Sequence, residues 1–399
     1  MTSSGKRRVS ILASDLSSQG AGRWGGAVRP FLLSQALIQA GYQPEIVGFN
    51  RDATPLKNAS DDVPIHSIPL GGELSGWQAS NRLLQALQGD IIYAYKLKPT
   101  SFGLALLHRL RHRKPVILDI DDWELSWHGG DDWAYRPPSV KQLLRDVLKK
   151  DGALRDPDHP LYLKWIQNQV HRADAVTTHN GFLQEKFGGI YIPNGKDIAL
   201  FDPDQYNAET CRQELGLSNY RVLLFPGAPR PYKGVEDLLI ALDILDQPDL
   251  KLVIVGGSPY DDYDAQLQKK WGHRLIQLPK ASYTEMPKRI AAAHIVVVPQ
   301  RQHPSAQAQF PLKLTDGMAM AKPILATKVG DIPKILGNTG YLVDSDQPQE
   351  LAREIQNIFD AYGVALNKGE MARQRCIEHY SIQRMSQVLS TFLPELILN

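Results

Sequence analysis

At 399 residues, 43% of them hydrophobic, the chain has material for about two to three packed domains and is not a disordered polymer. Its 45 Lys and Arg against 43 Asp and Glu leave a formal charge of +2, which excludes a dedicated nucleic-acid binder that works by bulk phosphate neutralisation. Cys211 and Cys376 are too few for a disulfide framework and lack metal-ligand spacing, so they read as ordinary thiols of a reducing compartment.

Residues 1–8 are polar, and the apolar run 9–13 is too short for a secretory signal and has no small-residue cleavage site. No run approaches the roughly 18 apolar residues of a membrane span. The expectation is a cytoplasmic protein, with peripheral contact at the inner face of a membrane left open. Strands are predicted at 9–14, 45–49, 91–95, 116–119, 175–178 and 189–192, before the loop signal Pro193-Asn194-Gly195. A second series follows at 222–225, 251–255, 275–278, 295–298, 324–326 and 340–343. Helical periodicity fills the intervals, which predicts an α/β protein with two Rossmann-like doubly wound domains facing a central cleft and a boundary near residue 200.

The first strand runs into Gly20-Ala21-Gly22-Arg23-Trp24-Gly25-Gly26 and a helical stretch at 28–39. This G-x-G-x-x-G places backbone amides where a phosphate can sit, although a tight turn alone also explains the glycines. A nicotinamide cofactor fits poorly, because Glu45 begins the second strand and Asp52 lies past its end. After the 116–119 strand comes Asp119-Ile120-Asp121-Asp122-Trp123-Glu124, readable as a Mg²⁺ or Mn²⁺ site, as acids that orient a hydroxyl, or as caps of the next segment. Trp123, Trp127, His128, Trp133, Tyr135 and Arg136 then lie in a loop-like insertion, where aromatic faces can stack on sugar or lipid or simply pack. Residues 140–150 form a basic amphipathic stripe that suits an anionic membrane or, as is commoner, the surface of its own domain. His179 borders the cleft or is structural.

In the second half, Phe225-Pro226-Gly227-Ala228-Pro229-Arg230-Pro231-Tyr232-Lys233-Gly234 joins a strand to a helix at 235–245. Two cations beside a helix N-terminus suit a diphosphate, or are solvated charges on a rigid turn. Gly256 and Gly257 follow the next strand. Beyond Phe310-Pro311, Lys313 and Asp316 stand at i, i+3 on a helix, either meeting phosphate and ribose or forming an exposed ion pair.

Residues 227–234, Val255-Gly256-Gly257, Pro193-Asn194-Gly195-Lys196-Asp197, and the run from Pro311 through Lys313 and Asp316 to Ala319, followed by Lys322-Pro323-Ile324, together resemble the retaining glycosyltransferases of family four (glycosyl transferases group 1). That family has the GT-B fold. The match covers nearly all of the C-terminal half in order and the N-terminal half more loosely. Tyr380-Ser381 is similar to the family's closing segment, which implies domains at 1–200 and 201–379, with a helix at 380–399 completing the first.

The resemblance implies a hexose moved from a nucleoside diphosphate sugar to a hydroxyl acceptor, with no cofactor and no required metal. It implies that Lys233 contacts the diphosphate and that Asp316 holds ribose as the second acid of an E-x7-E motif. Gly22, Gly25, Gly227, Gly256, Gly257, Gln309, Phe310, Pro311, Leu312 and Lys313 would complete the donor site. Ala308 stands at the first acid of that motif, moving the sugar contact to Gln307 or Gln309 or removing it. Ala228 stands where an arginine is usual, so Arg230 is the replacement, and Asp121 takes the place of a histidine near the transferred sugar. Trp123, Trp127 and His179 are expected on the acceptor side. The competing readings are a non-catalytic nucleotide-sugar-binding protein, motivated by Ala308 and Ala228, and, third, a nicotinamide-dependent oxidoreductase.

Overall fold

The computed structural model describes residues 6–17, 29–52, 63–70, 76–136, 139–149, 151–258 and 261–398. The chain divides into two compact units, Met1–Pro193 with Met385–Asn399, and Asn194–Arg384. The first unit holds seven strands: β1 (Arg8–Ala13), β2 (Gln43–Asn50), β3 (Ile65–Pro69), β4 (Ile91–Tyr95), β5 (Val116–Ile120), β6 (Ala175–Thr178) and β7 (Ile190–Tyr191). They pair in parallel in the order β3-β2-β1-β4-β5-β6-β7. Strands β4 and β5 are buried at every residue, as a parallel sheet covered on both faces requires, which is why β4 reads as an unbroken apolar run and β5 as one interrupted only by Asp119. Edge strand β3 was absent from the expectations, since Ile65-His66-Ser67-Ile68-Pro69 is only partly buried and carries no such run.

The second unit holds β8 (Arg221–Pro226), β9 (Leu250–Val255), β10 (Leu275–Leu278), β11 (Ile295–Val298), β12 (Ile324–Thr327) and β13 (Tyr341–Val343). All are parallel, in the order β10-β9-β8-β11-β12-β13. Alternate residues of β8 feed two cores, Val222 and Leu224 on one face and Leu223 and Phe225 on the other. The division between units falls at Pro193 rather than near residue 200, because the Asn-Gly-Lys segment is stitched into the second unit. The Lys196 amide donates to Tyr380 O at 2.7 Å, the Lys196 carbonyl accepts from Ile382 N at 3.0 Å, and a Cβ on Gly195 would stand 2.6 Å from Ser381 O. Among the described residues no helix is long and apolar enough to cross a membrane.

Candidate functional site

In an open doubly wound sheet, ligands collect at the C-terminal strand ends where the order reverses. In the second unit that point lies between β8 and β11. The turn after β8 is drawn against the segment after β11. Gly234 has φ +67 and sits so close that a Cβ would be 1.7 Å from Pro299 O, and Arg301 N donates to Tyr232 O at 2.9 Å. Gly227, at φ +114, faces open space at the start of this turn. Lys233 Nζ donates to Ala228 O at 2.9 Å. Arg230 is held on Asp261 at 2.7 Å, so its charge is already engaged within the unit.

Helix Leu312–Ala319 starts at Pro311 with no side-chain cap, and a Cβ on Gly317 would approach Val296 to 3.0 Å, so the helix lies tight on β11. Lys313 and Asp316 are both buried, which overturns the exposed i, i+3 pair as a reading. They do not pair with each other. Asp316 forms its ion pair with Lys196, a buried side chain whose Nζ lies 4.9 Å from the Phe201 ring and 5.9 Å from that of Tyr283. Burial pushes the Asp316 carboxyl up, with Lys196 opposing. Lys313 is 9% exposed, and its Nζ has no hydrogen-bond partner among the described residues, resting 3.7 Å from the Phe225 ring centroid. Burial pushes its ammonium well below the usual lysine range, and Lys233 adds to the shift while Asp316 opposes it. A buried, unmatched cation beside a second cation is costly unless an anion arrives.

The remaining donor-side positions surround this pair unevenly. Gly256 N donates to Leu278 O at 3.0 Å, whereas the space over Gly257 is filled by Asp264, whose carboxylate accepts from Ser258 N at 2.6 Å. Ala308 is fully buried, Gln309 half-buried, and Phe310 packs 6.1 Å from Tyr380. Pro311 is buried and Leu312 half-buried. Gln307 donates to Gln302 Oε1 at 3.1 Å. Gly22 and Gly25 lie outside the described residues.

In the first unit the acids after β5 are met by cations. Arg29, at the start of helix Arg29–Gln39, grips Asp119 through Nε at 2.9 Å and Nη2 at 2.8 Å. Its Nη1 donates to Ile192 O and Pro193 O at 2.8 and 3.0 Å, and Thr177 Oγ1 donates to Asp119 at 2.6 Å. Asp121 accepts from the Tyr95 hydroxyl and lies 3.5 Å from Lys96 Nζ. Lys96 Nζ also donates to Glu124 at 2.9 Å, and Lys98 Nζ stands 3.5 Å from Glu124 and 3.1 Å from Asp158. Burial raises Asp121 and lifts Asp122 to about 6, in each case against Lys96. Burial also works to raise Glu124, but Lys96 and Lys98 overcome it and hold the carboxyl at about 2. Among the described residues no three His, Cys, Asp or Glu side chains are grouped as metal ligands.

His179 is buried and its ring hydrogen-bonds the Asp121 backbone. Burial, then Arg29, pushes it well below the usual histidine range, so it is neutral at pH 7. Trp127 is exposed and donates to Asp122 at 3.1 Å. Trp123 is a correction as an open stacking face. Its Nε1 donates to Gln167 at 3.1 Å, Lys186 Nζ covers the ring at 4.0 Å, and a Cβ on Gly130 would be 2.8 Å from its edge. The insertion that carries these aromatics contains 3-10 turns at Glu124–His128 and Gly130–Asp132 rather than plain loop.

The structure thus brings Lys233, Lys313 and Gly227 together, gives Arg230 and Asp316 partners of their own, and gathers Asp121, Trp127 and His179 in the first unit. Arg29, Lys96, Lys98 and the partnership of Lys196 escaped the sequence reading. Only Lys196 left a signal, as part of the Asn-Gly-Lys-Asp motif.

The model of the family described as "Glycosyl transferases group 1" matches residues 220–361. D-inositol 3-phosphate glycosyltransferase of Mycolicibacterium gilvum (strain PYR-GCK) is 26% identical, over 89% of this chain and 82% of the relative. Among solved structures, Anabaena Alr3699/HepE in complex with UDP and glucose superposes with a TM-score of 0.74 at 19% identity, covering 98% of this chain and 100% of that one. Sucrose-phosphate synthase from Thermosynechococcus elongatus gives 0.72 at 18% identity, with 98% and 100% coverage. The two parallel sheets, the paired lysines at the reversal point of the second and these likenesses converge: the chain is a glycosyltransferase of GT-B fold that carries a glycosyl transferases group 1 domain.

Proposed function

We propose that the chain moves a hexose from a nucleoside diphosphate sugar to a hydroxyl acceptor with retention at the anomeric carbon, the second unit holding the donor. The observation that carries this reading is the buried, unmatched ammonium of Lys313 beside Lys233 at the C-terminal end of β8. Lys233 and Lys313 meet the diphosphate, Gly227 lets it approach the backbone, and the Asp316 carboxylate, steadied by Lys196, accepts from a ribose hydroxyl. Arg230 joins by exchanging Asp261 for phosphate. Charge that develops on the leaving diphosphate is then stabilised where it appears.

Retention rests on the resemblance to the retaining glycosyltransferases of family four, and Ala308, which leaves a methyl group where a carboxylate nucleophile would stand, favours same-face attack over a covalent intermediate. The bond from the anomeric carbon to the phosphate oxygen breaks, the acceptor oxygen bonds to that carbon on the same face, and the acceptor proton passes to the departing phosphate oxygen. Asp121, Trp127 and His179 serve the acceptor side, with His179 as a neutral hydrogen-bonding group. The test is transfer from UDP-, GDP- and ADP-hexoses, first ranked by thermal stabilisation, with the product anomer read by NMR. An inverted product removes the same-face route, and absence of turnover with every donor removes the reading.

Two outcomes follow for the donor site. Asp316→Ala is expected to weaken UDP binding by about tenfold, the worth of one hydrogen bond to a charged group, and equal affinity by calorimetry would count against the ribose contact. A bound diphosphate also raises the depressed pKa of Lys313. Above the pKa of the empty site, binding therefore takes up a proton and affinity falls as pH rises. Calorimetry in buffers of different ionisation enthalpy measures that uptake. Lys313→Met should abolish it, and an uptake unchanged in the variant assigns the proton elsewhere.

A further inference from the structure

Helix Val140–Leu148 is turned inside out. Val140, Leu143, Leu144, Val147 and Leu148 repeat at three and four residues, which sets them on one stripe, yet they are 75, 36, 54, 47 and 67% exposed. The residue this helix buries is Asp146, whose carboxylate accepts from the Tyr135 hydroxyl at 2.9 Å and from Gln142 Nε2 at 2.7 Å. Polar contacts preserve the helix. Ser139 caps its start by accepting from Gln142 N at 3.1 Å, and Arg155 donates to the Val147 and Leu148 carbonyls at 3.2 and 3.4 Å. Gly152 packs so near that a Cβ would lie 2.3 Å from Asp146 O. A water-facing helix carries the opposite pattern, and a contiguous apolar patch marks a surface built for a partner.

The charges around the stripe identify the partner. At 100° per residue Lys141 and Arg145 flank it on one side, with Lys149 next to them, and the helix's one acid is the buried Asp146. Arg145 reaches the exposed Asp151 at 3.0 Å, a weak solvent-screened pair. The neighbouring helix Pro160–Gln167, linked through the Tyr135 ring 5.5 Å from His159, adds exposed Leu161 and Trp165. A second copy meeting this face isologously would bring cations against cations, whereas anionic headgroups complement them.

We propose that helix Val140–Leu148 lies in the plane of an anionic lipid bilayer, its aliphatic stripe among the acyl chains and its lysines at the headgroups, and so seats the first unit on the membrane surface. This goes beyond the transfer reaction and does not depend on which donor or acceptor is used.

The test is co-sedimentation of the full chain with vesicles of phosphatidylcholine mixed with phosphatidylglycerol and of phosphatidylcholine alone. Binding is expected to the mixed vesicles and to fall as salt is raised. The double variant Leu144→Asp, Leu148→Asp should bind about tenfold less or weaker still, with an unchanged thermal unfolding midpoint because both side chains are exposed. Lys141→Glu with Lys149→Glu should lose the preference for phosphatidylglycerol and serves as the second probe should the aspartate variant fail to fold. Failure of the unaltered chain to sediment with mixed vesicles overturns the proposal, as does equal binding by the variants. A dimer in light scattering that the aspartate variant turns into monomer assigns the stripe to a second copy and overturns it equally.

Discussion

Truncating Lys233 to Ala is expected to lower the rate of sugar transfer by roughly 10² to 10³-fold, the loss that follows removal of one preorganised charge from a developing anion. The lysine sits half-buried on the turn between β8 and the helix Val235–Leu245, its ammonium on the Ala228 carbonyl. A bond to a carbonyl of its own turn steers the side chain without fixing the fold, so thermal unfolding of the variant should stay close to the parent. The effect should fall mainly on turnover. In the proposed site UDP would still meet Lys313 and the uncapped start of helix Leu312–Ala319, so its affinity should drop far less than the rate does. Initial rates of product formation and calorimetric titration with UDP separate the two quantities. A variant with the parent's rate would strip Lys233 of its assignment and move the leaving-group contact to Arg230.

The second large effect concerns stability of the first unit. Arg29→Met leaves Asp119 fully buried and stripped of both guanidinium bonds, and frees the Ile192 and Pro193 carbonyls that the same side chain satisfies. Breaking a buried pair from one side costs about 3–5 kcal/mol, far more than the pair contributes relative to an apolar replacement of both members. For a unit of this size the unfolding midpoint should fall by roughly 10 °C. Arg29→Met combined with Asp119→Leu should recover part of the loss, because no orphaned charge remains. Scanning calorimetry of the two variants decides the matter. A single variant as stable as the parent would mean that Asp119 has another counter-charge, and a double variant worse than the single would locate the cost in the two carbonyls.

Much of the architecture is legible in the sequence because parallel strands buried on both faces must be apolar throughout. The runs at 91–95 and 295–298 coincide with β4 and β11, which are buried at every residue. Strand β3 hides because an edge needs no such run. Side-chain partnerships are much less legible. Lys313 and Asp316 stand one helical turn apart and read as each other's mates, yet Asp316 takes Lys196 from a distant loop and leaves Lys313 with an aromatic face. The acids at 119–124 announce themselves as a cluster, but their cations arrive from just past the C-terminal end of β4 and from the start of helix Arg29–Gln39, elements that only the sheet order brings alongside. Helix Val140–Leu148 shows the same limit. Periodicity reveals its stripe and says nothing about which way the stripe turns.

With the donor site as proposed, Lys313 would also tie the endurance of the protein to its metabolic surroundings. A lysine buried without a hydrogen-bond partner, beside a second lysine, is a cost to the vacant fold, and an anion bound against it would remove that cost. Occupancy of that site would therefore do more than ready the enzyme for turnover, since it would slow the openings through which proteases gain entry. Digestion of the full chain should slow as UDP is added, so that in a cell the quantity of enzyme that survives would track the supply of the activated sugar it consumes.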